Sequence, residues 1–138
     1  MMQSNSDTAH RLALRYAQIA DDRDFESMRD IIRPDFTQVG PDWRCDSADA
    51  FIAQLEFLRE NFDATLHMLG NQLGSWNADH YAGETYCTAT HLYKRDGVGR
   101  KTEMGIRYQD NIVMEGGRYY YQSRDVRVIW VSDHALVT

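Results

Sequence analysis

Cysteine and proline are scarce in this chain, and long apolar runs are missing. Only two cysteines are present, Cys45 and Cys87, too few for a disulfide scaffold and without the CxxC spacing of structural zinc sites. They read as reduced thiols, with a single bridge between them the unsupported alternative. No segment approaches the ~18 consecutive apolar residues that a membrane helix needs, and the most apolar one, Val126 to Val131, is strand-sized. The first residues, Met1-Met2-Gln3-Ser4-Asn5-Ser6-Asp7, carry neither basic side chains nor an apolar run, so no secretory signal is visible and the expected compartment is the cytoplasm. Basic residues are outnumbered, 15 against 21 acidic ones, for a net charge of −6. That sign repels phosphate backbones and anionic lipid heads, so neither nucleic acid nor a membrane is an expected partner. Gly105 and Gly116-Gly117 lack the spacing of nucleotide-binding loops, and GxSxG, HExxH and 2-His-1-carboxylate patterns are absent. The sequence therefore gives no reason to expect a metal.

What is present fits one soluble domain spanning residues 1–138. A chain of 138 residues buries roughly two thirds of its unfolded surface, enough for a core with room for an internal pocket. No repeat, low-complexity tract or linker-like Pro/Gly/Ser run divides it. The first third has helical periodicity. Leu12, Tyr16, Ile19 and Ala20 form one stripe from Asp7 to about Asp22, with Ser6 as a plausible N-cap. Asp24 can cap a second short helix carrying Phe25, Met28, Ile31 and Ile32, which Pro34 stops. A third, from about Ser47 to Asn61, carries Phe51, Leu55, Leu58 and Phe62 on one face.

Beyond Asp63, β-branched and aromatic residues thicken, with turns expected at Gly83, Asp96-Gly97 and Gly116-Gly117. Strands are expected at 64–76, 81–94, 100–114 and 119–131, with a short edge strand from Phe36 to Val39. This order predicts an α+β domain: three N-terminal helices packed on a strongly curved, mostly antiparallel sheet, a cone whose open end can hold a small apolar ligand. The last strand is apolar on both parities through Val126, Val128, Ile129, Trp130 and Val131. Both of its faces need cover, which points to a homo-oligomer, a dimer or trimer.

His10, His80 and His134 lie in polar or terminal sequence and are expected to face solvent. His67 and His91 lie in long strands and can line one pocket. Position alone leaves two roles open for each, a hydrogen-bonded wall residue or a catalyst. The first helix ends in Ala20-Asp21-Asp22-Arg23-Asp24, and a carboxylate at the rim of an apolar cavity can fix an imidazole tautomer and stabilise the imidazolium formed on proton uptake. The same acids also read as solvated helix-end residues. Tyr16 can offer a phenol. Arg124, mid-strand, serves either a ligand or a structural ion pair with Asp125 or another acid. Trp43, Tyr93, Tyr108 and Tyr120 can line a cavity or fill a core.

At these residues the chain resembles the SnoaL-like branch of the nuclear-transport-factor-two-like superfamily, near the scytalone dehydratases, bile acid alpha-dehydratases and hexachlorocyclohexane dehydrochlorinases. The likeness is carried by Tyr16 through Asp21-Asp22-Arg23-Asp24-Phe25, by Thr65-Leu66-His67-Met68-Leu69-Gly70-Asn71, by Gly83 through His91 and by Met104 through Arg124. It implies a catalytic pair at Asp21 and His67, a second catalytic histidine at His91 that protonates the departing hydroxyl unless a water does so, and substrate contacts at Tyr16 and Arg124. The second histidine, which the dehydrochlorinase lacks, inclines the expectation toward a dehydratase. Isomerases, cyclases and non-catalytic binders share the superfamily. The resemblance implies no cofactor. The expected substrate is small, cyclic and largely apolar, with Trp43, Tyr93 and Tyr108 among its walls.

Overall fold

The computed structural model describes residues 5–137 as two α-helices, one short 3₁₀ helix and a six-stranded sheet. Helix α1 spans Asn5–Asp22, the 3₁₀ helix Phe25–Asp30 and α2 Ala48–Asn61; the strands are β1 Ile32–Val39, β2 Arg44–Cys45, β3 Ala64–Asn77, β4 His80–Arg95, β5 Val98–Glu115 and β6 Arg118–Ala135. Their order in the sheet is β2-β1-β6-β5-β4-β3, with all neighbours antiparallel except β1 and β6. Helix α1 packs on β3 and β6, and α2 on β1 and β2. The α+β expectation therefore holds.

Local chemistry explains where the elements begin and end. The Ser47 hydroxyl caps α2 by accepting the Ala50 N–H at 3.0 Å. Its apolar stripe then buries Phe51, Ile52 and Leu55, with the Phe51 ring against those of Phe36 and Tyr16. The hairpin at Asp96-Gly97 has φ of 53° and 78°, and that at Gly116-Gly117 has 59° and 76°, the left-handed pairs that match strand twist.

Several boundaries differ from expectation. Helix α1 starts at Asn5, which puts Ser6 inside its first turn. The second helix is a 3₁₀ turn ending at Asp30, and the Asp24 carboxylate caps no backbone N–H, accepting the Ser27 hydroxyl at 2.6 Å instead. Pro34 stops nothing: β1 runs through it, at a register shift between Ile32 and Thr37 where a missing N–H costs no regular ladder bond. Gly83 is not a turn either. It pairs with Gly74 inside the β3–β4 ladder, and a Cβ on either glycine would meet the Tyr81 phenol at 2.3 Å; the chain reverses at Ala78-Asp79, with Ala78 at φ 54°.

The convex sheet face carries an apolar patch that nothing among the described residues covers. Leu66, Met68, Ile129 and Trp130 are exposed there, with the Trp130 ring covering Gly105, whereas the exposed Val131 pairs with Met104 and lies on the cavity side of the sheet. No helix among the described residues is long and apolar enough to cross a membrane.

Candidate active site

The end of α1 positions a carboxylate. Asp24 N–H bonds to Ile19 C=O at 3.1 Å and Arg23 N–H to Ala20 C=O at 3.3 Å, with Arg23 left-handed at φ 58°. This paired closure ends the helix just after Asp22. A left-handed non-glycine residue is costly, and bonds to α2 and the residue after it hold it: the Arg23 guanidinium donates to Phe62 C=O at 2.5 Å, and Arg59 donates to Arg23 C=O at 2.8 Å.

Asp21 thereby faces β3, the outer strand of the sheet, whose free N–H groups need partners. Its Oδ2 accepts the His67 backbone N–H at 2.9 Å. Its Oδ1 accepts the Thr65 hydroxyl at 3.0 Å and lies 2.6 Å from His67 Nδ1. Burial would raise the Asp21 pKa, but the hydrogen bonds from His67 and Thr65 outweigh it, and the carboxyl lies below its ordinary range. With Nδ1 committed to Asp21, Nε2 is the imidazole nitrogen left for a ligand.

The His67 ring forms part of the wall of a cavity of about 300 Å³ under α2. Leu55, Leu58, Phe62, Met104, Ile106 and Val126 make the cavity mostly apolar. His91 lies in the same wall, its ring centroid 6.2 Å from that of His67 and 4.9 Å from that of Phe62. Tyr16 and Tyr108 contribute phenols. Tyr16 accepts a 3.2 Å bond from the Gln38 amide, whose oxygen accepts the Trp43 indole N–H at 3.1 Å. Tyr108 bonds to the Cys87 thiol.

Two expected wall residues are elsewhere. Arg124 is fully buried behind the cavity, its Nε donating to Asp110 at 2.8 Å. Tyr93 lies outside the cavity in a network with Asp133 and Arg100, because that carboxylate offers its hydroxyl a partner. Tyr120 also lies away from the cavity. His10, His80 and His134 are exposed. Gln38 and Phe62 join the wall without having been marked as ligand contacts. Among the described residues no three His, Cys, Asp or Glu side chains gather as a metal site.

His91 carries a pH signature. Burial first, and His67 second, pull its pKa from 6.5 down to about 4. Between those values the unfolded chain binds a proton that the folded chain does not, so stability falls as pH falls through this window. The loss from pH 7 to pH 4 amounts to about 3 kcal/mol. Urea unfolding at the two pH values is expected to show that loss in the wild type and only a small part of it in His91→Phe. The lowered Asp21 pKa acts with the same sign in more acidic solution.

The comparisons agree with this architecture. A SnoaL-like domain model matches residues 5–125. No curated protein sequence matches the chain. Among solved structures, a protein from Novosphingobium aromaticivorans named as a candidate scytalone dehydratase superposes with a TM-score of 0.85 at 18% identity, covering 95% of this chain and 88% of its own. A Kribbella flavida protein gives 0.84 at 17%, with 93% of each chain covered. The hexachlorocyclohexane dehydrochlorinase of Novosphingobium barchaimii gives 0.81 at 10%, covering 96% and 90%. With a family model covering most of its length and these neighbours sharing its curved sheet, the chain belongs to the SnoaL-like domain family.

Proposed function

We propose that this protein is a cofactor-independent enzyme that eliminates water from a small, cyclic, largely apolar hydroxylated carbonyl compound. The observation that carries the reading is the 2.6 Å contact between Asp21 and His67 at the wall of an apolar cavity. A module that only held an apolar ligand would gain nothing from a partly buried carboxylate beside a histidine, which is costly to desolvate. The names of the neighbouring scytalone dehydratase-like protein and dehydrochlorinase, both eliminations by name, point the same way.

In this reading His67 Nε2 removes the proton from the carbon next to the carbonyl, and Asp21 stabilises the imidazolium. The C–H electron pair passes into the carbonyl to give an enolate, which Tyr16 can hold through its hydroxyl proton. Collapse of the enolate forms the C=C bond and breaks the C–O bond. The departing hydroxide takes the proton from His67 and leaves as water, which restores the base. His91, neutral at pH 7 because its pKa is about 4, acts as a hydrogen-bonding group toward the leaving oxygen and not as an imidazolium acid. Isomerisation of a double bond is the second reading, favoured by the Tyr16 phenol, since it needs the same base and enolate holder but no leaving group.

The test is a screen of hydroxylated cyclic ketones by mass spectrometry with wild type, His67→Ala and His91→Ala. The expected product is lighter by one water, and His91→Ala is expected to slow its formation about 10²-fold, the typical cost of one preorganised hydrogen-bonding group. Products of unchanged mass from every substrate turned over would replace elimination by isomerisation. Tight binding without turnover would make the protein a binder.

The exposed apolar patch on the convex face supports a homo-oligomer in which copies meet through Met68, Ile129 and Trp130. Light scattering is expected to give a multiple of the 16.0 kDa chain mass, and Trp130→Glu to return it to that of one chain. A wild-type monomer at tens of micromolar would contradict this.

A further inference from the structure

Behind the cavity wall is a buried cation that its counter-ion only partly engages. The Arg124 side chain has no solvent exposure and that of Asp110 almost none. Only Arg124 Nε reaches Asp110; its two terminal nitrogens are buried without an acceptor among the described residues. A structural arginine–carboxylate pair is commonly bidentate. Here the second Asp110 oxygen is diverted, accepting the Thr85 hydroxyl at 2.7 Å, and Thr85 accepts the Gln72 amide at 3.0 Å.

The guanidinium instead packs on three aromatic rings, 3.8 Å from the Tyr108 centroid, 4.4 Å from that of Tyr16 and 4.8 Å from that of Tyr121. Tyr16 and Tyr108 are the two phenols of the cavity wall. Positive charge therefore stands directly behind the surface a ligand touches, while the carboxylate is turned away from it.

We propose that Arg124 is a positioning residue whose field, acting through Tyr16 and Tyr108, makes the cavity select oxyanions, so that a ring hydroxyl bound against Tyr16 is held as its phenolate or enolate. The inference rests on the proposed reaction only in that the enolate released by His67 is such an anion. The other titratable groups around the guanidinium do not cancel its charge. Tyr81 and Tyr121 are raised by burial and stay neutral, and burial pushes the neighbouring Cys87 thiol up to about 11. At both cavity phenols the Arg124 charge outweighs the opposing Asp110 charge. The Tyr16 oxygen already accepts from Gln38, which directs its own proton toward a bound acceptor.

The test uses 2-naphthol, a bicyclic probe whose neutral and ionised forms differ in absorption. The ratio of ionised to neutral probe is read when bound and when free, at one pH. Wild type is expected to raise the ratio about tenfold over free probe, and Tyr16→Phe to lose most of that gain. Asp110→Asn removes the opposing charge and is expected to raise the ratio about tenfold further, the size of one unit charge acting across several ångströms of partly polar interior. The neutral pair Arg124→Met with Asp110→Leu leaves no buried charge alone and is expected to return the ratio to that of free probe, which decides the matter if Asp110→Asn does not fold. Opposite signs for the two changes exclude a purely structural ion pair, whose loss would act in one direction. Bound naphthol no more ionised than free, an unchanged or lower ratio in folded Asp110→Asn, a neutral pair that keeps the wild-type ratio, or no binding at all would overturn the proposal. The expected ratios with no water loss from any ketone would overturn the elimination reading and leave this one standing.

Discussion

Replacing His67 by alanine is expected to reduce turnover by about 10⁴-fold, the upper end of what a positioned acid/base group contributes. In the proposed reaction His67 both removes the carbon-bound proton and returns it to the leaving oxygen, so its loss affects two bonds. Folding should survive, because Asp21 keeps the Thr65 hydroxyl and the residue-67 backbone N–H as donors. The check is steady-state kinetics on whichever ketone the wild type dehydrates, with circular dichroism to confirm the fold. Activity within tenfold of wild type would remove His67 from the chemistry.

Asp21→Asn is expected to cost about 10³- to 10⁴-fold in kcat with little change in KM. The substitution is nearly isosteric and lies behind the cavity wall, so ligand contacts are preserved. What changes is the tautomer. A carboxylate only accepts and fixes the imidazole proton on Nδ1, whereas an amide can donate to Nδ1 and push the proton to Nε2, the nitrogen that must act as base. A KM increase with kcat intact would show that Asp21 serves binding instead.

The sequence makes the pair legible because each partner depends on short-range rules. A helical stripe through Leu12, Tyr16 and Ile19 puts Asp21 at a helix end, and strand parity puts Thr65 and His67 on one side, with Leu66 and Met68 on the other. The β3 part of the convex face is legible by the same parity, but on β6 a bulge at Ile129 puts the consecutive Ile129 and Trp130 on that face together. The Arg124 partner is not. Counted without interruption from the Gly116-Gly117 turn, the hairpin would put Gln109 opposite Arg124. A bulge at Gln122 shifts the register by one and puts Asp110 there instead, and nothing local in the sequence announces the bulge. Tyr93 misleads for a related reason. It shares strand parity with His91, which lines the cavity, but Asp133 arrives from β6 and holds its hydroxyl, a contact that only the assembled sheet supplies. Pro34 misleads because its local preference to stop a helix is equally met by a strand irregularity.

The central claim is that Asp21 fixes His67 with Nε2 free to act as a base in the cavity. The most direct measurement is a long-range ¹H–¹⁵N NMR correlation of the His67 ring, compared between wild type and Asp21→Asn. The account predicts that the neutral ring of the wild type carries its proton on Nδ1 and leaves Nε2 bare, and that the proton moves to Nε2 or exchanges between sites in Asp21→Asn. A wild-type ring protonated on Nε2, or one whose tautomer is indifferent to the loss of the carboxylate, would contradict it.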